Sequence, residues 1–237
     1  ETKIFLEKLK VKEVNYNGNI KFIGNIDENN INDSNKNILT KKRSWVAAST
    51  HLGEEELCLK THIVLKERYD DILTIIAPRH IDRSKNIKSM CKKYNLKVQL
   101  LNDDELIKPN IEILILNSFG QLQNYFKYTK SVFIGKSTVK KLKNVGGQNP
   151  LEAARLNCKI YHGPYVYNFK DIYEILKINN FAIEIRNHIE LSNYLTKDLK
   201  SFEKKDDKIS SLINNLGNEI LMKTSKDINN FILNENK

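Results

Sequence analysis

No apolar run in the 237 residues is longer than four or five positions, far short of the roughly 20 that a membrane-spanning helix needs. Cysteine is scarce too: Cys58, Cys91 and Cys158 are odd in number, far apart and without a Cys-x-x-Cys pair. That argues against a disulfide framework or a zinc site and for reduced, cytosolic thiols. Proline occurs four times and glycine nine times, so any cluster of the two stands out. There is one, Gly146-Gly147-Gln148-Asn149-Pro150. No signal-peptide pattern opens the chain, and its first residue, Glu1, suggests a processed or cut chain. Internal repeats, a Ser/His/Asp order and a metal-spaced cluster are likewise not seen in the sequence.

What is present is a 40% hydrophobic share, enough for the core of one large domain with or without appendages. The net charge of +10 is uneven. Residues 79–143 hold 14 Lys/Arg against 5 Asp/Glu, a balance of +9, whereas residues 200–237 hold 7 against 6. A concentrated basic stretch fits an anionic partner such as a nucleotide, a phosphorylated lipid, a membrane surface or nucleic acid. A lysine-coated surface produced by a Lys-, Asn- and Ile-rich composition is the other reading, and charge alone does not separate them.

Along the chain, residues 1–42 read as an interdomain segment followed by an Asn-rich polar linker, IDENNINDSNKNILTKK, that ends near Lys42. From Arg43 to Leu199 short apolar runs alternate with helical stretches. The runs are WVAAS (45–49), ILTIIA (72–77), VQLL (98–101), EILIL (112–116), SVFIG (131–135), KIYHG (159–163) and AIEI (182–185). Helices are predicted over 53–69, 82–94, 119–129, 150–156, 170–179 and 188–199. This alternation predicts an α/β fold, a Rossmann-like, doubly wound parallel sheet with helices on both faces. Ligands of such folds sit in the loops at the carboxyl ends of the strands. Residues 200–237 read as an amphipathic helical extension whose stripe, Ile209, Leu212, Ile213, Leu216 and Ile220, needs a partner surface. The flank of the 43–199 domain is the expected one.

The glycine-proline cluster has a physical reading. Pro150 suits the first helical position, Asn149 the N-cap and Glu152 the third helical position of a capping box. Gly146 and Gly147 in front permit close backbone approach, and Leu151 begins the apolar face. A helix amino terminus behind a glycine turn can receive an anion, and Glu152 can accept both hydroxyls of a ribose. Plain helix capping explains the same residues. GKST (135–138) lacks the Gly five positions upstream that a P-loop requires, because that position is Lys130. In NSFGQLQNYF (117–126), Phe119, Gly120, Gln121 and Leu122 form a strand-to-helix turn whose N–H groups would face the same crevice. Pro78, Arg79 and His80 directly follow a strand, where an Arg suits a phosphate or carboxylate. Ser49 ends the first strand, His51 starts the helix after it as a loop residue or part of the crevice, and Glu54, Glu55 and Glu56 read mainly as an acidic first turn matched to the helix dipole.

In this order, ASTHLGEEE, APRH, SFGQL, VFIGKS and GGQNPLEAA resemble the carboxyl-terminal domain of the 3-deoxy-D-manno-octulosonic acid (Kdo) transferases, glycosyltransferases of GT-B architecture. The likeness runs from about Val14, where VNYNGNIKF looks like the family's G-N-L-K-F junction, to about Asp198. It implies that this chain is the half that binds CMP-Kdo. Pro78 and Arg79 match the donor loop, Gly120 and its neighbours a second loop, and Asn149 and Glu152 the helix that takes ribose and phosphate. Asn117 and Gln121 depart from the family's Asp and Glu, Lys136 from its second Gly, and Gln148 from its His. Asn117 and Gln121 favour a second reading, a diverged non-catalytic nucleotide-binding module; a GT-B enzyme using another sugar nucleotide is a third. The basic 79–143 stretch lacks interleaved aromatics, so nucleic acid is not an expected partner. The resemblance further implies transfer of Kdo to a lipid A precursor in lipopolysaccharide synthesis. CMP would leave by direct displacement at the anomeric carbon, with no cofactor and no metal. The catalytic carboxylate would lie in an amino-terminal domain outside this chain, so the fragment alone is expected to be inactive. The complete protein would then work at the anionic, cytoplasmic face of the inner membrane.

Overall fold

The computed structural model describes residues 2–11, 14–24, 31–103, 105–118, 120–200 and 207–235. They form two compact units, one of residues 1–25 with 211–237 and one of residues 26–210.

The larger unit is built on a parallel sheet. Its strands are β1 (Arg43–Thr50), β2 (Ile72–Pro78), β3 (Val98–Leu101), β4 (Ile113–Leu116), β5 (Ser131–Ile134), β6 (Lys159–His162) and β7 (Ala182–Glu184). They lie in the order β3-β4-β2-β1-β5-β6-β7, and every neighbouring pair is parallel. Each coincides to within about two residues with an apolar run of the sequence. β1 is central, with Trp45, Val46 and Ala47 at 0% exposure, because a strand covered on both faces must be apolar throughout. The helices are α2 (Asp33–Lys41), α3 (Glu54–Lys66), α4 (Ser84–Lys93), α5 (Leu122–Phe126), α6 (Leu151–Arg155), α7 (Lys170–Ile178) and α8 (His188–Asp198); α1 (Thr2–Lys8) belongs to the smaller unit. Trp45, Leu59, Ile76, Ile115, Phe133 and Leu195 join strands and helices in one core cluster. All three cysteines are buried, and none of them is in a disulfide.

Helix α2 is a difference from the sequence reading, which treated 26–42 as polar linker. Asn32 Oδ1 caps it by accepting from Ser34 N–H at 2.9 Å, and Leu39 is buried. Asn35 is buried as well: its side chain donates to the Glu105 carbonyl at 3.0 Å and accepts from Ile107 N–H at 2.7 Å. The polar sequence hides a helix whose partners lie some 70 residues away.

Helix α9 (Lys208–Glu235) supplies most of the smaller unit. Within that unit the helix lies against the chain's own 18–23 segment. A Cβ on Gly217 would come within 2.4 Å of the Phe22 carbonyl oxygen, and one on Gly18 within 2.7 Å of Ile220. Ile213 and Ile220 are buried, and Leu212 and Leu216 are half-buried. No described helix is long and apolar enough to cross a membrane.

Candidate functional site

The strand order reverses between β1 and β5: from β1 the chain moves to β2 on one side, and later resumes at β5 on the other. In an open parallel sheet this reversal leaves a crevice at the carboxyl ends of the strands. Along that edge lie, in order, the 117–122 turn after β4, Arg79 and His80 after β2, Ser49 to Gly53 after β1, and Gly135 to Thr138 after β5. Of the described sequence-predicted site residues, Ser49, Pro78, Arg79, His80, Gly120 and Gln121 follow or end strands on this edge, Gly146, Gly147, Asn149 and Pro150 lie in the connection after β5, and Leu122, Leu151 and Glu152 lie at the starts of α5 and α6. Phe119 lies outside the described residues.

The centre of the edge is organised by Glu54, which is fully buried. Its Oε2 accepts from the N–H groups of His51 at 2.9 Å and Lys136 at 2.7 Å. Its Oε1 accepts from the N–H groups of Ser137 and Thr138 at 2.9 and 3.0 Å, and from Thr138 Oγ1–H at 2.9 Å. Three consecutive amides of GKST thus form an anion nest, and the anion in it is the protein's own carboxylate. The turn is committed to structure, in keeping with rejection of a P-loop. Its geometry is tight. Ser49 and Lys136 hold positive φ values of 54° and 57°, and a Cβ on Gly135 would lie 2.5 Å from the Ser49 carbonyl oxygen.

Glu55 is also fully buried, accepts from Thr50 Oγ1–H at 2.9 Å, and forms a bidentate pair with Arg83 at 2.7 and 2.9 Å. Only Glu56 is the exposed, dipole-matched acid that the sequence suggested, paired with Lys60 at 2.8 Å. The reading of the acidic triplet is corrected accordingly: two of its three members fasten loops. Sequence patterns missed them because, beside the local partners His51 and Thr50, the deciding partners Arg83 and Lys136 to Thr138 lie 28 to 84 residues away.

Arg79 and His80 are exposed at the carboxyl end of β2, and Arg79 N–H donates to the Thr50 carbonyl at 3.0 Å, which ties this turn to the end of β1. The rings of His51 and His80 meet edge to face with centroids 5.8 Å apart. Burial lowers the His51 pKa below its ordinary value, so this half-buried ring is neutral at pH 7. The edge therefore presents a guanidinium and two imidazoles in a row.

The 145–150 loop is fastened to both neighbouring strand ends. Gly147 N–H donates to the Lys136 carbonyl at 2.7 Å, and a Cβ on Gly146 would sit 2.4 Å from the Tyr165 carbonyl oxygen. Gly147 has φ +87°, a conformation that costs a side chain about 1–2 kcal/mol. Asn149 Oδ1 accepts from Leu151 N–H at 3.1 Å while Pro150 is already helical, so Asn149 caps α6 as the sequence predicts. The reciprocal half of the capping box is not made among the described residues. Glu152 is exposed and faces solvent instead of reaching back to Asn149, so its carboxylate is open to a ligand. At the other end of the crevice, Asn117 donates to Asn102 Oδ1 at 2.7 Å and Gln121 donates to Asp103. Gly120 has φ +81° with open space where a Cβ would point. No group of three His, Cys, Asp or Glu among the described residues could hold a metal ion.

The parallel sheet with its flanking helices defines a Rossmann-like α/β domain. No family model matches the chain. The chain is 28% identical over 214 residues to the 3-deoxy-D-manno-octulosonic acid transferase of Haemophilus influenzae, covering 89% of this chain and 48% of that protein. It is 35% identical over 163 residues to the Rickettsia prowazekii enzyme of the same name, covering 69% of this chain and 34% of that protein. The Aquifex aeolicus enzyme is 29% identical over 195 residues, 81% of this chain and 50% of that one. Among solved structures, the C-terminal CMP-Kdo binding domain of WaaA from Acinetobacter baumannii superposes with a TM-score of 0.61 at 19% identity, over 80% of this chain and 98% of that one. That likeness confirms the fold. The chain is a homologue of the 3-deoxy-D-manno-octulosonic acid transferases, and it spans between about a third and a half of their length.

Proposed function

We propose that this chain is the CMP-Kdo-binding half of a GT-B Kdo transferase that adds Kdo to a lipid A precursor in lipopolysaccharide synthesis. The observation that carries the reading is the sequence relationship over 89% of the chain to a Kdo transferase. The crevice supports it chemically. Arg79 offers a bidentate donor for the CMP phosphate, and Asn149 orders the start of α6. Glu152 is an exposed carboxylate for ribose hydroxyls, and the 120–122 turn offers N–H groups to the base. When the donor reacts, CMP leaves the Kdo anomeric carbon, and Arg79 stabilises the charge that develops on its phosphate. The general base belongs, by the family resemblance, to the amino-terminal domain, along with the acceptor and membrane contacts. The site of action is then the cytoplasmic, anionic face of the inner membrane.

Calorimetry with CMP, UMP and GMP tests the donor assignment. CMP is expected to bind at least about tenfold more tightly than the other two, a difference of about 1.4 kcal/mol. Equal binding of all three, or none, would overturn it. A non-catalytic nucleotide-binding module is the reading favoured by Asn117 and Gln121, which replace two acids and are engaged by Asn102 and Asp103. It is distinguished by transferase activity of the longer protein.

A further inference from the structure

Strand β3 is an edge of the sheet, paired with β4 on one side and with no described strand on the other. In that parallel pairing the Ile113 N–H donates to the Lys97 carbonyl at 3.0 Å and the Asn117 N–H to the Leu101 carbonyl at 2.9 Å. Bonding toward β4 therefore falls on residues 97, 99 and 101. By the alternation of the ladder, the N–H and C=O groups of Val98 and Leu100 point away from the sheet. None of the four has a hydrogen-bond partner among the described residues. A groove of about 380 Å³ runs along this edge, with Lys88 of α4 on one wall and Leu106 and Lys108 on the other. The side chains of Val98 and Leu100 pack into the core beside α4. Gln99 points the other way and holds the far wall: its Nε2 donates to the Leu106 carbonyl and its Oε1 accepts from the Lys108 N–H, both at 2.8 Å.

The charge of the groove narrows the class of partner. Lys88 and Lys108 have no carboxylate within 4.0 Å among the described residues. Neither do Lys85 and Lys92, which share the outer face of α4 with Lys88. The acid in the lining, Glu105, is turned to Asn102, accepting from its N–H at 3.1 Å and its Nδ2 at 2.9 Å. Leu106 is 55% exposed and gives its wall an apolar face. Lysines beside an edge strand oppose pairing with a second copy of the same edge, because like charges would meet. For the same reason they attract an acidic strand. A lipid phosphate would satisfy the lysines and accept from the N–H groups, but it has no donor for the Val98 and Leu100 carbonyls.

We propose that the β3 edge is a docking site for an extended, acidic segment of a partner protein, which joins the sheet as a further strand. Its backbone pairs with the outward groups of Val98 and Leu100. Segment residues opposite those two point to the α4 side, where acids meet Lys88, and the residue between them rests on Leu106. The site does not depend on the donor assignment of the crevice.

The probe is the synthetic peptide acetyl-TEVEVET-amide, titrated by calorimetry and followed by amide hydrogen exchange in NMR spectra. In the free protein the Val98 and Leu100 amides should exchange fast and those of Gln99 and Leu101 slowly. The peptide is expected to bind with a Kd below about 1 mM. Bound, it should slow exchange at Val98 and Leu100 at least about tenfold. Lys88→Glu and Lys108→Glu should each weaken binding at least about fivefold. Val98→Pro removes an outward N–H and no ladder bond, so it should weaken binding too. If that variant does not fold, exchange in the wild type and the two lysine variants still decide. The same peptide N-methylated at its glutamates and valines keeps the charge without the donors and should not bind. Absence of binding, equal binding of the N-methylated peptide or of acetyl-TKVKVKT-amide, or binding with unchanged exchange at Val98 and Leu100 overturns the proposal. Dimerisation of the protein that protects those two amides gives the edge to a second copy and overturns it as well. Capture of phosphatidylglycerol vesicles through Lys88 and Lys108, with no peptide bound, does the same in favour of a membrane.

Discussion

Replacing Glu54 with Gln isolates the contact on which the crevice depends. The native carboxylate accepts five hydrogen bonds in a fully buried position, three on Oε1 and two on Oε2. A glutamine that keeps its oxygen at the Oε1 position turns an NH₂ group toward the His51 and Lys136 N–H groups. Donor then meets donor. Two charge-assisted bonds are lost and two half-buried amides are left without an acceptor. At about 1.5–3 kcal/mol for each bond to a charged group, the cost is about 3–6 kcal/mol. That is a large part of the roughly 5–15 kcal/mol that holds a domain together. With a urea m-value of about 2–3 kcal/mol/M, the unfolding midpoint should fall by about 1–3 M. Thr138→Val removes only the hydroxyl bond and should cost about 1 kcal/mol. Glu56→Gln, on the exposed member of the triplet, should leave the midpoint where it is. Because Lys136 also receives the Gly147 N–H, the Glu54 variant should loosen the 146–152 loop and weaken CMP binding. A Glu54→Gln unfolding free energy within about 1 kcal/mol of wild type would refute the view that this carboxylate holds the nest.

Lys136→Gly should be close to neutral: glycine removes a left-handed strain of about 1–2 kcal/mol and returns about 0.5–1 kcal/mol through unfolded-chain entropy, whereas Lys136→Val should destabilise clearly in thermal melts. Glu152→Gln should weaken CMP binding roughly ten- to hundredfold by calorimetry while leaving the melting temperature unchanged, since the side chain is exposed; the reverse pattern would make Glu152 only a cap. Gly217→Ala sits inside α9, where helix propensity alone would favour alanine by about 1 kcal/mol, yet the new Cβ meets the Phe22 carbonyl oxygen at 2.4 Å, so loss of stability is expected instead. Burial holds His62 and His162 near pKa 4 in the folded state against an ordinary 6.5. Below pH 6.5 the unfolded chain takes up protons that the folded chain refuses, so this stability is present above pH 6.5 and is lost as the pH falls toward 4. The loss is on the order of 3 kcal/mol per histidine. Urea titrations between pH 7 and pH 4 should show this slope, and His162→Leu should reduce it.

The alternation of short apolar runs with helical stretches determined the doubly wound sheet, because a buried parallel strand must be apolar at every position and its helices need room between strands. Glycine and proline in VGGQNPLEAARL marked the start of α6 and its cap, because positive φ is least costly for glycine and a missing N–H is peculiar to proline, both local properties. The placement of ASTH, APRH, SFGQ and GGQNPLE after strands was legible for the same reason, and with it the edge on which the crevice lies. Helix α2 was not, because its apolar content is small and its stability comes from Asn35 and Leu39 finding distant partners. The strand order, and so the reversal between β1 and β5, follows from packing and not from any local pattern. Only the tertiary structure separated Glu54, Glu55 and Glu56, three identical side chains in a row. Two of them are buried, with partners that include groups 28 to 84 residues away, and the third faces water. The free edge of β3 belongs to the same class, since a missing partner can be seen only once every neighbour is in place.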